Sequence, residues 1–256
     1  MIPSLKGIVW DFDGTLADTR ARNLAVNRKI VETVSGRPYR DFPALCSLEE
    51  YSAVNSRVRN WRALYRQEFG LDAVAADRAG RLWTESQLAD TTPAVLYDGI
   101  PATLEALRAL RHGIVSQNSA ENIRALLRQV ELEDCFAMVI GYEEVPLARQ
   151  KPEPDGLLRC VETLYPAERG VVLYIGDHAT DTECAFNANE MLAVNDRGIR
   201  VIAVAASFDG PADIAGWRIP PDHVVHHPLE IVNIAARYAP WGSGTDLDKW
   251  CANERS

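Results

Sequence analysis

Asp11 and Asp13 stand two apart in the run Asp11-Phe12-Asp13-Gly14-Thr15. Carboxylates this close repel when both are ionised, unless a bound cation or a shared proton relieves them. Alone, the pentapeptide reads equally well as an ordinary acidic turn. A second acidic run shifts that balance. Gly176-Asp177-His178-Ala179-Thr180-Asp181 sets two more carboxylates four residues apart, one helical turn if a helix starts there. Hard oxygen ligands on loops suit Mg²⁺, with water and substrate phosphate completing its shell. Ser116 adds a hydroxyl, and Lys151 an ammonium that gains meaning only beside the acids. Ser119 is a second candidate for the hydroxyl, although Asn118 and Ser119 also suit a helix cap.

Short apolar runs lead into these residues. Gly7-Ile8-Val9-Trp10 ends at Asp11, Gly113-Ile114-Val115 at Ser116, and residues 171–175 at Gly176-Asp177. Residues 138–140 and 200–204 are two further runs of the same kind. Helical patterns lie between them: Leu104, Leu107 and Leu110, then Ile123, Leu126, Leu127 and Val130 at amphipathic spacing. Pro152 suits the first turn of a helix over residues 153–164. Strands alternating with helices predict an α/β fold with a parallel sheet. Ligands of such sheets sit outside the carboxyl ends of the strands.

Residues 18–93 break that rhythm. They hold no convincing strand and read as helices over 24–34, 48–69 and 74–88, separated by Gly36-Arg37-Pro38 and Gly70-Leu71-Asp72. The expected organisation is a core of residues 1–17 and 94–238, a helical insertion of 18–93, and a tail of 239–256. The insertion carries twelve basic and ten acidic residues in a chain of net charge −9. A mildly basic lid over an acidic base suits an anionic ligand held between them. Trp61 and Trp83 read as core of the insertion, and Arg59, Arg62 and Arg66 as one solvated helix face. His178 lies inside the acidic loop, within reach of ligand or solvent. His226-His227, before Pro228, reads as a strand end.

The chain has 256 residues, 47% hydrophobic and 25% charged, so neither a disordered chain nor a stapled mini-protein is expected. Its acidity argues against general nucleic-acid binding, which needs a basic footprint. No apolar stretch approaches a membrane span, and Asp11 comes too early to leave room for a signal-peptide core. Five scattered cysteines without a CxxC pair point to a reducing compartment. The expectation is a cytoplasmic protein free of membrane and nucleic acid; the residues set no oligomeric state.

Four motifs in this order, Asp11-Phe12-Asp13-Gly14-Thr15, Ser116, Lys151-Pro152-Glu153-Pro154 and Gly176-Asp177…Asp181, resemble those of the haloacid dehalogenase superfamily. The chain is similar to its phosphohydrolases with a helical cap inserted after the first strand. The resemblance spans about residues 5–235, and Tyr97-Asp98-Gly99-Ile100-Pro101 resembles the return from cap to core. It implies a Rossmann-like three-layer core with a parallel sheet plus an all-helical cap. It further implies Asp11 as nucleophile forming an aspartyl-phosphate, and Asp13 as the acid and base. Mg²⁺ would be held by Asp11, Asp177 and the Asp13 backbone carbonyl, with Asp181 supporting the shell. Ser116 and Lys151 would bind phosphoryl oxygens, helped by backbone N–H groups near Phe12, Asp13 and Gln117.

Asp13 separates the chain from true dehalogenases, which lack that second aspartate, and from phosphonatases, which replace it. Sugar phosphomutases keep Asp13, but their cap normally brings a histidine near the hinge, where this chain has Arg20 and Arg22. Residues 18–93 contain no histidine. The run from Asp11 to Thr19 is nearest to the phosphoglycolate phosphatase type. The expected activity is therefore Mg²⁺-dependent hydrolysis of a small phosphorylated metabolite. The alternatives are a mutase of the same fold and a non-catalytic binding protein. Three departures stand out: Gln117 after Ser116, a short strand before Ser116, and a long stretch over 188–198, expected as an elaboration near the site rim.

Overall fold

The computed structural model describes residues 4–209 and 214–238; the expected tail, 239–256, lies outside them. In chain order the elements are β1 (Leu5–Trp10), β2 (Ala17–Asp18), α1 (Arg20–Ser35), α2 (Leu48–Asn55), α3 (Trp61–Ala63) and α4 (Ala73–Ala89). There follow β3 (Val95–Leu96), α5 (Ile100–Ala106), β4 (Arg111–Val115), α6 (Ala120–Gln129), β5 (Met138–Ile140) and α7 (Asp155–Leu164). The chain continues with β6 (Gly170–Gly176), α8 (Ala179–Val194), β7 (Ile199–Ala206), β8 (His223–Val225) and α9 (Glu230–Ala236).

Six strands form one sheet in the order β5-β4-β1-β6-β7-β8, and every pairing is parallel. The apolar runs become its inner strands because both faces are covered. Ile8, Val9 and Trp10 of β1 are wholly buried, with Ile8 and Trp10 in one core cluster and Val9 in the other. After β1 the chain builds outward through β4 and β5, then returns to the far side of β1 with β6, β7 and β8. Strand order thus reverses at β1, and the crevice at its carboxyl end is where an open α/β sheet accepts ligands. Asp11, Ser116 and Asp177 immediately follow β1, β4 and β6.

The helical insertion leaves and rejoins the core through β2 and β3, which pair antiparallel as Ala17 with Leu96 and Asp18 with Val95. Its helices bury a third cluster of their own, including Val26, Ile30, Leu45, Tyr65 and Ala76.

Several sequence expectations need correction. Residues 48–69 are not one helix. The chain leaves α2 at Asn55 and restarts at Asn60, whose extended backbone and side chain, accepting from Ala63 N at 2.9 Å, cap α3. A π-helical turn, Leu64–Glu68, follows α3. Pro152 lies ahead of α7 rather than in its first turn, since that helix begins at Asp155 after Pro154. Leu107, Leu110 and Val130 fall beyond the ends of α5 and α6. The first turn of α6 is capped from outside: Glu143 Oε1 accepts from Ala120 N at 2.9 Å and from Ser119 Oγ at 3.0 Å. The stretch 188–198 is the distal half of α8 and its turn. Because α8 starts at the site, its far end lies at the opposite edge of the sheet, away from the rim. His226-His227 do follow a strand, β8, whose three residues are too short to read.

Candidate active site

The β1 end delivers Asp11 into a buried position, with its N–H bonded to Ile175 O at 2.7 Å. Lys151 Nζ lies 2.8 Å from Asp11 Oδ2 and 2.6 Å from Asp181 Oδ1, itself only 5% exposed. Asp181 has both oxygens committed. Oδ1 also accepts from Tyr174 OH at 2.9 Å, and Oδ2 accepts from His178 N at 3.1 Å, closing the capping box of α8. Asp177 is held more loosely, accepting from Thr15 Oγ1 at 3.4 Å. Gly14 makes room for it. A Cβ there would sit 2.0 Å from Asp177 Oδ2, at a backbone φ of +74° that favours glycine.

Electrostatics follow from this crowding. Burial pushes the Asp11 carboxyl up to about 6, against the pull of Lys151. Desolvation, then repulsion from Asp11 and Asp181, drives Asp177 well above the usual carboxylate range. Burial opposes the Lys151 charge, but Asp11 and Asp181 outweigh it and hold the ammonium above its ordinary value.

Asp13 faces another environment. Its Oδ1 accepts from Thr19 Oγ1, from Asn118 Nδ2 at 3.1 Å and from Asn23 Nδ2 at 3.3 Å. Burial raises its pKa, and these three donors work against the rise. Ser116 is buried and its Oγ accepts from Asn118 N at 3.2 Å, whereas the Gln117 side chain donates to Lys151 O at 3.0 Å. Ser119, the runner-up hydroxyl, is turned away to Glu143.

Asp11, Asp177 and Asp181 bring one carboxylate oxygen each within 4.8 Å of one another. The Asp13 carboxylate lies outside this group. An all-oxygen donor set, with repulsion that one cation would relieve, fits a hard divalent ion such as Mg²⁺.

Over these residues lies a cleft of about 870 Å³, lined by the strand ends and by the helical insertion. Trp61 and Trp83 pack against the buried cluster of the insertion, as the sequence suggests, and each also lines the cleft. Gly80 seats Trp61, because a Cβ there would meet the indole at 2.6 Å. Trp83 Nε1 donates to Asn118 Oδ1 at 3.4 Å. Arg59 is not merely solvated: it pairs with Glu183 of α8 at 2.6 Å, while Arg62 pairs with Asp77. Thr180 N donates to His178 Nδ1, so Nε2–H donates to Ser56 O of the cap at 2.9 Å. Arg20 ties the hinge by pairing with Asp18 and Asp209, both at 2.7 Å.

Sequence reasoning missed Thr19, Asn23 and Asn118 as partners of Asp13, and Tyr174 as the partner of Asp181. Thr19 was within reach, being six residues from Asp13 in the same run. Tyr174 sits in an apolar strand that marks it as core.

Such a floor, beneath inserted helices on a parallel sheet, defines a class. Residues 5–189 match the haloacid dehalogenase-like hydrolases, and the chain belongs to that family. It is an enzyme of the hydrolase kind, and its relatives carry phosphatase names. A phosphoglycolate phosphatase of Cereibacter sphaeroides is 28% identical over 77% of this chain and 87% of its own. An N-acetylmuramic acid 6-phosphate phosphatase of Pseudomonas aeruginosa is 26% identical over 91% of this chain and 96% of its own. Among solved structures, a HAD-superfamily hydrolase of subfamily IA from Geobacter sulfurreducens superposes with a TM-score of 0.60 at 22% identity. The match covers 91% of this chain and 97% of that one.

Proposed function

We propose that the protein hydrolyses a small phosphate monoester through a phosphorylated Asp11, with Mg²⁺ as cofactor. One observation supports this most: Asp11, Lys151 and Asp177 converge at the strand ends, with Asp13 nearby in a separate set of hydrogen bonds. An Asp11 oxygen bonds to phosphorus as the bond from phosphorus to the leaving oxygen breaks. Asp13 gives that oxygen its proton. It then takes a proton from water, whose oxygen displaces Asp11 and frees inorganic phosphate. Lys151 and Ser116 hold phosphoryl oxygens, assisted by the backbone at Gln117. Asp11, Asp177 and the Asp13 carbonyl would hold Mg²⁺, with Asp181 behind them. Bound there, the ion would shield carboxylate from phosphate.

In this reading residues 1–17 and 94–238 are the catalytic core and 18–93 the cap, which excludes water when closed over the ester. A cleft of about 870 Å³ walled by Trp61 and Trp83 has room for a sugar phosphate as well as for phosphoglycolate, the ester of the phosphatase type the chain resembles. The four described cysteines are unpaired, which suits the cytoplasm. Among the described residues no helix is long and apolar enough to cross a membrane.

The test is phosphate release from a panel of monoesters, with Mg²⁺ and with chelator, beside Asp11→Asn. Metal-dependent release that vanishes in the variant is expected. Phosphate moved within a sugar without net release would mark the mutase, and no turnover of any ester would overturn both readings.

A further inference from the structure

A row of amides runs from Asp13 through the cap and back into the core. Asn23 of α1 donates from Nδ2 to Asp13 Oδ1 at 3.3 Å. Gln87 of α4 donates from Nε2 to Asn23 Oδ1, and Asn122 of α6 from Nδ2 to Gln87 Oε1, both at 2.6 Å. Chemistry sets the direction of the row. An ionised carboxylate only accepts, so Asn23 must turn its NH₂ to Asp13 and its carbonyl to Gln87. The same choice is then forced at 87 and at 122. Gln87 and Asn122 are buried, and Asn122 Oδ1 has no hydrogen-bond partner among the described residues. A buried acceptor left unpaired is a net cost to the fold. Apolar side chains would join α4 to α6 without that cost, so packing alone does not account for the row.

We infer that Asn23, Gln87 and Asn122 are positioning residues for proton transfer by Asp13. With Thr19 and Asn118 they hold Oδ1, leaving Oδ2, which none of these donors touches, to carry the proton. When the bond from phosphorus to the leaving oxygen breaks, the Oδ2 proton passes to that oxygen. When water then bonds to phosphorus and the Asp11–phosphorus bond breaks, a water proton returns to Oδ2. Two members of the row belong to the cap and one to the core, so it is complete only with α1 and α4 seated over α6. The inference rests on the reading of Asp13 as the acid and base.

Gln87→Met removes the middle link far from phosphorus. Gln87→Glu reverses the link to Asn23 while keeping the one from Asn122, because an ionised carboxylate accepts where the amide of Gln87 donated, so that Asn23 must flip and turn its carbonyl towards Asp13. Two kinds of ester separate positioning from damage. p-Nitrophenolate leaves without needing a proton, whereas an alkoxide does. The alkyl ester is whichever of phosphoglycolate, glycerol 3-phosphate and glucose 6-phosphate the wild type turns over fastest. On it, Gln87→Met should lose about tenfold in kcat with KM within twofold, and Gln87→Glu should lose more; about 10²–10⁴ is the whole worth of such an acid. The first turnover of p-nitrophenyl phosphate should keep its rate within twofold in both. Equal losses on the two esters, a parallel rise in KM, or no loss on the alkyl ester overturns the inference. Failure of the reading beneath it looks different: Asp13→Asn would then leave wild-type turnover of the alkyl ester unchanged.

Discussion

On the floor of the cleft, charged side chains sit at strand ends and are held by partners of opposite charge. Asp11 has Lys151, and Lys151 has Asp181. The roof is built otherwise. Trp61 and Trp83 line it, Gly80 gives Trp61 its place, and its ties to the core are mostly neutral: the Asn23–Gln87–Asn122 row, Ser56 O to His178 and Trp83 to Asn118, with Arg59 to Glu183 and Arg20 to Asp209 as ion pairs. A floor of buried charges tolerates no displacement, because each partner left alone is an unpaired charge in a dry site. In the reading proposed above, a roof held mainly by neutral hydrogen bonds and one aromatic wall would open, and would change its choice of ester, without disturbing the charged pairs below.

The largest effect should come from Lys151→Met, which strands Asp11 and Asp181. Removing one partner of a buried pair costs about 3–5 kcal/mol, readable as a lowered Tm in chelator. Losing a donor to the phosphoryl group costs about 10²–10³ in kcat, and the loss should be similar for every ester. Survival of activity on some esters alone would erase the distinction between floor and roof.

Gly14→Ala comes next. A Cβ 2.0 Å from Asp177 Oδ2 must displace that carboxylate, and disturbing a ligand's support costs about 10–100-fold in metal affinity. Magnesium titrations of activity should show the midpoint rising by that factor, with saturating kcat changed less.

The floor was legible and the roof was not, for a physical reason. Asp11, Ser116 and Asp177 each close an apolar run that only a buried parallel strand explains, so their meeting at one sheet edge follows from topology. The row from Asp13 to Asn122 joins residues 64 and 35 apart in sequence, and single polar residues on helices carry no periodic signal. Asn60 was a readable cap that a continuous helical pattern obscured. Glu143, capping α6 from a separate loop, gave no local sign at all.

Gly80→Ala sharpens the contrast from the other side. Alanine favours a helix interior over glycine by about 0.5–1 kcal/mol, yet its methyl displaces Trp61. Overpacking against Trp61, which sits on the buried cluster of the insertion, costs about 1–3 kcal/mol and offsets that gain, so Tm should fall modestly while KM for ring-bearing esters rises; changed pocket contacts are worth about 10–200-fold in selectivity. An unchanged ratio between glucose 6-phosphate and glycerol 3-phosphate would remove Trp61 from substrate choice. Arg59→Ala should do least. Its pair with Glu183 has a mostly exposed arginine, and such pairs contribute about 0–1 kcal/mol. KM should rise by less than about fivefold and kcat stay put.

The central claim is that Asp11 takes the phosphoryl group. Acid-quenching the enzyme during turnover with Mg²⁺ and sequencing its peptides by mass spectrometry tests this directly. One phosphate is expected on the peptide bearing Asp11, and none on that of Asp11→Asn. Steady phosphate release with no adduct on Asp11, and with Asp11→Asn still active, would contradict it.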